Sequence, residues 1–269
     1  MKKFFIVLLA AAALASAEDQ EARAKRVIDE AVAALGGQKF LNVQERIESG
    51  RAYSFYHDKV SGLAIAKIYT RYTSVDPAKA GETVGVWERE AFGKNEDYYD
   101  LFNEDGGWDI TFRGTKPLEQ DQINRYRDTT LHNVFYILRQ RLHEPGLTFD
   151  SRGSDVVENV PVEIVDITDS ANRVVTVYFQ QSTKLPIMQK WIRRDPVTKD
   201  KDEEVTRFTR YREVGGIQWP YQVHRERNGE KIYDMFSESV TINPDLPDNL
   251  FLLPSGPPSK GASKPVKKK

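Results

Sequence analysis

The sequence predicts a mainly β protein of the α+β class, built on a single curled antiparallel sheet of about ten or eleven strands with two main helices. Apolar residues follow helical spacing in only two segments, whereas most of the remaining chain consists of short, strand-like runs. The connections between those runs are short, which indicates antiparallel neighbours because parallel strands need long crossovers. A wide sheet with only two helices must curl and place both on one side, and we expect that side to be the concave one.

The first predicted helix has a clear C-terminal boundary, whereas the second has two possible starting residues. The first covers residues 19–35 and ends at Gly36-Gly37, where glycine permits a left-handed stop. The second opens at Thr115 or Pro117 and continues to Pro145-Gly146. Its apolar positions keep helical spacing throughout: Ile123, Tyr126, Leu131, Val134, Phe135, Leu138 and Leu142.

Strand-like runs occupy the remaining chain on both sides of the second helix. Asn228-Gly229, between two alternating runs, is the strongest short hairpin signal in the sequence. The candidate strands are 45–56, 63–74, 84–92, 95–103, 108–112, 147–152, 156–168, 173–180, 185–194, 203–213, 217–227 and 230–242.

The two ends of the chain differ from the body. Lys2-Lys3, the apolar run 4–14 and Ala15-Ser16-Ala17 are typical of a secretory signal, so we expect residues 1–17 to be cleaved after Ala17. The run is too short for a membrane span, which needs about 20 residues, and no cysteine follows it as a lipid attachment site. We therefore expect a soluble periplasmic protein, with secretion as the alternative. Residues 18–254 are predicted to form one domain, and the Lys- and Pro-rich tail 255–269 to be disordered.

Several classes of function are disfavoured by composition. The formal net charge of -1 argues against a broadly basic nucleic-acid binder. The absence of cysteine excludes disulfides, thiol nucleophiles and iron–sulfur ligands. The four histidines show no helical zinc pair, and the chain has no nucleophile elbow, phosphate-binding loop or dinucleotide glycine pattern. We expect no cofactor, no metal and no enzymatic activity, although residues distant in sequence could still converge into a histidine–carboxylate site.

Aromatic residues recur along the strands and suggest a hydrophobic cavity between the curled sheet and the second helix. Ordinary core packing is the alternative for each residue taken singly. If there is a cavity, its shape suits apolar ligands held by few polar groups. The candidate lining residues are Phe55, Trp87, Val134, Phe135, Leu138, Leu142, Trp191 and Trp219.

A succession of short motifs resembles the outer-membrane lipoprotein-sorting family, the LolA/LolB-like group, over most of residues 20–254. Each motif is weak by itself, and their order carries the resemblance. The motifs are Ala34-Leu35-Gly36-Gly37, Gly106-Gly107-Trp108, Leu185-Pro186-Ile187, the segment 211–220 (YREVGGIQWP), Asn228-Gly229, the segment 243–248 (NPDLPD), Leu250-Phe251 and Pro254. The turn 180–184 departs from the family pattern, and so does the lysine tail.

The resemblance implies a half-open barrel capped by helices, with a hydrophobic cavity for the acyl chains of a lipid or lipoprotein. It also implies a carrier that meets envelope proteins of the inner or outer membrane. We further expect the basic tail to contact anionic envelope surfaces. Two alternatives stay open from the residues alone: a non-catalytic assembly or structural protein of the envelope, and an envelope hydrolase whose site the sequence does not reveal.

Overall fold

One open antiparallel sheet dominates the computed structural model, which describes residues 20–79, 81–194 and 198–254. The predicted signal peptide 1–17 and the tail 255–269 lie outside the described residues. The strands are β1 Glu45–Tyr56, β2 Lys59–Tyr72, β3 Val86–Phe92, β4 Tyr98–Asn103, β5 Gly106–Thr111, β6 Gly114–Pro117, β7 Thr148–Val157, β8 Val160–Thr168, β9 Val174–Gln180, β10 Pro186–Arg194, β11 Lys201–Val214, β12 Ile217–Arg227 and β13 Glu230–Ile242.

Helical segments precede the sheet and connect its two edges. The helices are α1 at 20–35, α2 at Gln38–Leu41, α3 at Gln120–Leu131 and α4 at Val134–Tyr136, which continues into a π-helical turn at Ile137–Arg141. Two short 3₁₀ segments lie at Pro77–Lys79 and Asp248–Phe251.

The strand order divides the sheet into two meanders. It runs β6-β5-β4-β3-β2-β1-β13-β12-β11-β10-β9-β8-β7, so β1 and β13 pair at the centre and β6 and β7 are the two edges. The chain therefore builds the first half outward from β1 to β6. It then crosses the sheet through α3 and α4, and builds the second half inward from β7 to β13. The predicted fold class is confirmed.

The predicted second helix is wrong in its start and in its continuity. Residues 114–117 instead form β6, paired with β5, and a capping box between Glu119 and Gln122 starts α3 at Gln120. The helix then breaks before α4, because the Asn133 side chain accepts hydrogen bonds from the backbone N–H groups of Phe135 and Tyr136 and so caps a new helix. Apolar spacing is maintained across this break, which is why the periodicity does not reveal it.

The described part of the sheet has thirteen strands, more than the ten or eleven predicted. One of the additional strands is β6. The predicted boundary between the runs 147–152 and 156–168 is misplaced: the turn is at Glu158-Asn159, where both residues have positive φ (51° and 65°) and separate β7 from β8. The predicted Asn228-Gly229 hairpin is present, with φ values of 51° and 80°.

The main hydrophobic core lies between α1, α4 and the strands of the second meander. The predicted apolar stripe of α1 is buried there: Ala24, Val27, Ile28, Ala31, Val32 and Leu35. A Cβ atom on Gly36 would lie 2.6 Å from the carbonyl oxygen of Gly216, so the two glycine pairs of the sequence allow the helix end to approach the β11–β12 turn. We call the sheet face under α1, α3 and α4 the covered face.

Candidate functional site

Six of the eight predicted lining residues lie together on the covered face. Val134, Phe135 and Leu138 are buried in the main core together with Trp191 and Trp219, and Leu142 packs against it half-buried. The Phe135 ring centroid lies 4.9 Å from that of Phe208, edge-on, and 5.1 Å from that of Trp219. The helix and the strands are therefore in direct aromatic contact here.

Phe55 and Trp87 are not part of this group. Phe55 lies half-buried near the end of β1, with the Lys231 Nζ atom 4.9 Å from its ring centroid. Trp87 lies on the opposite sheet face, where it packs near Phe251 of the C-terminal segment, 6.3 Å between ring centroids. Side chains alternate between the two faces along a strand. Because Glu88 and Glu90 lie on the covered face of β3, Trp87 lies on the opposite face.

A separate cavity of about 370 Å³ lies next to the aromatic group, at the end of the sheet where the β7–β8 turn meets β10 and β11. Its lining is mainly apolar, and Phe208 forms part of the wall while its ring also contacts Phe135. The residues lining the cavity are Val157, Glu158, Val160, Gln180, Thr183, Leu185, Ile187, Met188, Arg207, Phe208, Thr209, Arg210 and Tyr211.

Irregular strand pairing opens this cavity. The register of β10 with β9 shifts between Pro186 and Met188. The β11–β12 register is the same on both sides of Arg210, but Arg210 itself forms no regular pair between Thr209–Gln222 and Tyr211–Pro220. The Tyr211 hydroxyl donates a 2.5 Å hydrogen bond to the Pro186 carbonyl oxygen across the cavity wall. Burial raises the pKa of Tyr211 well above its ordinary value, so this hydroxyl stays a donor.

Charged groups line one side of the cavity. Arg207 donates from Nε to Glu158 Oε1 at 3.1 Å, and its Nη1 atom lies 2.8 Å from Glu226 Oε1. Burial acts to lower the pKa of Arg207, but the bonds to these two carboxylates outweigh it and raise the pKa. Arg210 is exposed. Among the described residues it has no hydrogen-bond or ion-pair partner.

The other half of the covered face is acidic. Glu90, Asp100 and Asp109 stand directly opposite one another on β3, β4 and β5, and Glu88 lies two residues from Glu90 on the same side of β3. Loss of water and the neighbouring Glu88 and Asp100 raise the pKa of Glu90 to about 8. Loss of water and the nearby Asp109 raise the pKa of Asp100 to about 6.

Helix α3 covers this carboxylate row. The Tyr126 ring stacks on Phe102 with centroids 3.7 Å apart. Burial, reinforced by Glu88 and Glu90, raises the pKa of Tyr126 well above its ordinary value. At neutral pH, the neutral forms of Glu90 and Tyr126 are therefore favoured beneath α3.

Glu48 marks the boundary between the acidic and the apolar halves. Its carboxylate accepts a hydrogen bond from Trp219 Nε1 at 3.3 Å and one from the Ser237 hydroxyl, and it pairs with Arg46. The Arg46 guanidinium carbon lies 4.4 Å from the Trp219 ring centroid. This buried carboxylate is paired with a cation, whereas within the described residues Glu88, Glu90 and Asp100 form no ion pair.

The histidines offer no free catalytic base at the cavity. His224 has Nδ1 2.6 Å from Asp234 Oδ1 and Nε2 2.8 Å from Glu226 Oε1, so both ring nitrogens are engaged. His132 stacks on Trp191 at 4.0 Å and its Nδ1 lies 2.6 Å from the Asp128 carbonyl oxygen. Burial lowers the pKa of His132 and keeps the ring neutral.

Residues 20–79, 81–194 and 198–254 also contain no group of three or more histidine, aspartate or glutamate side chains arranged to hold a metal ion. In the same segments, no helix is both long enough and apolar enough to cross a membrane.

Sequence reasoning missed the cavity. Phe208 belongs to the pattern of strand aromatics, and Leu185, Ile187 and Met188 form an apolar run after a turn. Both signals are visible in the sequence, but nothing local shows that the register of β10 with β9 shifts at Ile187. The acidic row was also missed, although the alternation of Glu88 and Glu90 with Trp87 and Arg89 is a readable two-residue period.

Comparison with known proteins defines the class of fold. No family model matches the chain, and no curated protein matches its sequence. Solved structures do match it. A DUF1329 family protein from Desulfovibrio piger superposes with a TM-score of 0.56 at 14% identity, over 85% of this chain and 97% of that one.

Two further solved structures give the same result. A protein of Vibrio parahaemolyticus described as an outer membrane lipoprotein-sorting domain has a TM-score of 0.52 at 11% identity, over 87% of this chain and 97% of its own. A LolA superfamily protein from Nitrosomonas europaea has a TM-score of 0.51 at 11% identity, over 85% and 97%. The chain has a LolA-like fold and is widely diverged from these relatives in sequence, as its motifs predicted.

Proposed function

We propose that this chain is a non-catalytic carrier that shelters acyl chains of a lipid or lipoprotein, and that the chains enter the cavity beside Phe208. The observation that carries the proposal is the apolar cavity of about 370 Å³ in a LolA-like fold. This volume lies within the range of roughly 300–1,000 Å³ typical of ligand pockets. The lining is rich in Val, Leu, Ile, Met and Phe, which suits a hydrocarbon tail.

The energetics are adequate for a reversible carrier. Each methylene transferred from water contributes about 0.8 kcal/mol, so ten methylenes contribute roughly 8 kcal/mol before the costs of association are subtracted. The free energy that remains supports an affinity that is high enough for transport and low enough for release. No nucleophile or metal is required for this task.

The six grouped residues of the predicted lining form the inner extension of this site in our proposal. Phe208 stands between the cavity and Phe135, which in turn contacts Trp219. A side-chain rotation of Phe208 would connect the cavity to the space held by Leu138 and Trp191. Longer acyl chains would then be accommodated by displacing this aromatic partition.

The proposed place of action is the periplasm, with residues 1–17 removed and with envelope proteins as the donors or acceptors of the cargo. Protein isolated from its own envelope fraction should begin at Glu18, and native mass spectrometry followed by lipid extraction should reveal bound acyl species. A cytosolic chain that retains Met1 would contradict the proposed location.

A cavity-filling variant tests the site. An environment-sensitive apolar dye should bind the purified protein saturably and be displaced by dodecanol. Ile187→Trp places an indole in the cavity from a half-buried position, so dye binding should be lost while the melting temperature is kept. Ile192→Trp is the matched control, because Ile192 lies on the same strand, is 49% exposed and does not line the cavity.

Two results would remove the proposal. One is the absence of saturable dye binding by the wild-type protein. The other is dye binding by Ile187→Trp equal to that of Ile192→Trp.

A further inference from the structure

We infer that the cavity selects acyl ligands with an anionic headgroup and that Arg210 receives that headgroup. This inference rests on the proposed function and adds the ligand class. It begins from the backbone of Arg210, whose φ of 56° lies in the left-handed region that non-glycine residues rarely adopt. Such a conformation is strained and persists where the surroundings impose it, often at ligand sites.

The pairing around Arg210 is regular, and only its own backbone departs from the strand. Thr209 pairs with Gln222 and Tyr211 pairs with Pro220, so the register is the same on both sides and Arg210 lies opposite Tyr221 without a regular pair. Arg210 is exposed and forms part of the cavity lining, which places its cation where the apolar space meets water.

The neighbouring cations around the cavity are already neutralised. Arg207 is held by Glu158 and Glu226, as described above. Lys184, at the end of the adjacent turn, pairs with Glu30 of α1 at 2.9 Å. Within the described segments, no carboxylate pairs with Arg210, so it supplies an uncompensated positive charge at this opening.

The other polar groups of the cavity are neutral and partly engaged with one another. The Thr183 hydroxyl donates to Gln180 Oε1 at 2.9 Å, and the Thr209 hydroxyl donates to Gln222 Oε1 at 3.2 Å. A cationic headgroup would meet the unpaired guanidinium, whereas a carboxylate or phosphate would gain a charge-assisted, two-pronged hydrogen bond. An acyl chain inside and an anion at Arg210 together describe an acidic amphiphile.

Four ligands of equal chain length distinguish the contribution of the headgroup to affinity from that of the tail. They are dodecanoate, dodecyl phosphate, dodecanol and dodecyltrimethylammonium, each titrated against bound dye at neutral pH. We expect the two anions to bind about tenfold more tightly than dodecanol, the gain of a charge-assisted hydrogen bond, and the cation to bind most weakly. Added salt should reduce the preference for the anions without changing dodecanol binding.

Two variants identify the responsible residue. Arg210→Gln keeps a polar side chain but removes the charge, and it should weaken both anions about tenfold while leaving dodecanol unchanged. Arg212→Gln is the control, because Arg212 is also exposed on β11 but lies over the Tyr221 ring at 4.4 Å and does not line the cavity. Melting temperatures of both variants verify that they fold.

The outcomes separate the two proposals. Loss of dodecyl phosphate binding alone in Arg210→Gln would assign a phosphate headgroup, and loss of both anions would assign carboxylates as well. Equal affinity for dodecanoate, dodecyl phosphate and dodecanol in the wild type, or an equal change of all three in Arg210→Gln, would overturn the role of Arg210 while leaving acyl binding intact. Failure of every ligand to displace the dye would instead remove the carrier function.

Discussion

Helices cover both halves of the covered face, but one half consists of apolar side chains and the other of acidic ones. Under α1 and α4, the second meander presents buried apolar residues such as Val177, Phe179 and Trp219. Under α3, the first meander presents Glu90, Asp100 and their neighbours. The same sheet thus packs one part of the helical layer on apolar side chains and another part on carboxyl groups whose pKa values are raised.

The helices themselves reflect this difference. Helix α1 buries six apolar side chains in the core, whereas Leu131 is the one buried residue of α3. A buried aliphatic side chain contributes roughly 1.5–3 kcal/mol relative to an exposed one, so the difference between the two helices is large. We therefore expect α3 to be the less firmly held part of the helical layer.

The largest expected effect concerns the segment that joins the two halves. Arg141 is 2% exposed and its guanidinium bonds to Glu144 at 2.6 Å and to Asp169 at 2.7 Å. Arg141→Ala would leave the buried Glu144 carboxylate without its cation, although Asp169 would keep its pair with Arg173, and it should lower the free energy of unfolding by about 3–5 kcal/mol, measured by urea denaturation. Arg127→Ala, at a half-exposed position on α3, should change it by less than about 1 kcal/mol. Similar small losses for both variants would show that the crossing segment is not anchored by Arg141.

A second pair of variants directly compares the helical segments that cover the apolar and the acidic halves. Leu138, in the π-helical turn that continues α4, is fully buried, and Leu138→Ala should cost about 2–5 kcal/mol through lost contacts and a new void. Ile123 of α3 is only half-buried, so Ile123→Ala should cost less, about 1 kcal/mol. Equal losses in urea denaturation would mean that the apolar and acidic halves are held with comparable strength, contrary to the comparison.

The smallest expected effect is a dependence of stability on pH that arises in the acidic half. The pKa of Glu90 is raised to about 8 from 4.5, so the folded protein retains this proton more strongly than the unfolded chain. Stability should therefore fall as the pH rises from about 4.5 to 8, and Asp100, with a pKa of about 6, should add to the fall in the lower part of that window.

Urea denaturation of Glu90→Gln at pH 6 and pH 9 measures this contribution. The variant should be the more stable protein at pH 9 and should show a flatter dependence on pH. Glu104→Gln, at the exposed turn between β4 and β5, should keep the wild-type dependence. An unchanged pH profile in Glu90→Gln would show that the carboxylate row ionises without cost to the fold.

Sequence patterns predicted the parts of this structure that local chemistry determines. The apolar stripe of α1, its stop at Gly36-Gly37 and the Asn228-Gly229 hairpin are each specified within a few residues. The break before α4 was missed because Asn133 interrupts the helix without disturbing the apolar spacing. Six lining candidates came together because helix periodicity and strand alternation place them on one face. The cavity could not be predicted, since the register shift near Ile187 depends on which strands pair and in what register.

The pairing of β1 with β13 has a consequence for the rate and order of folding. The hairpins within each meander join residues close in sequence, whereas Glu48 and Ser237 are 189 residues apart. Closing so long a loop is entropically costly and slows folding, so the central seam forms after the local hairpins. Until β13 docks, β1 and β12 are open edges that can pair with other chains. The final strand thus converts two aggregation-prone half-sheets into one continuous sheet whose free edges are the short β6 and the outer β7.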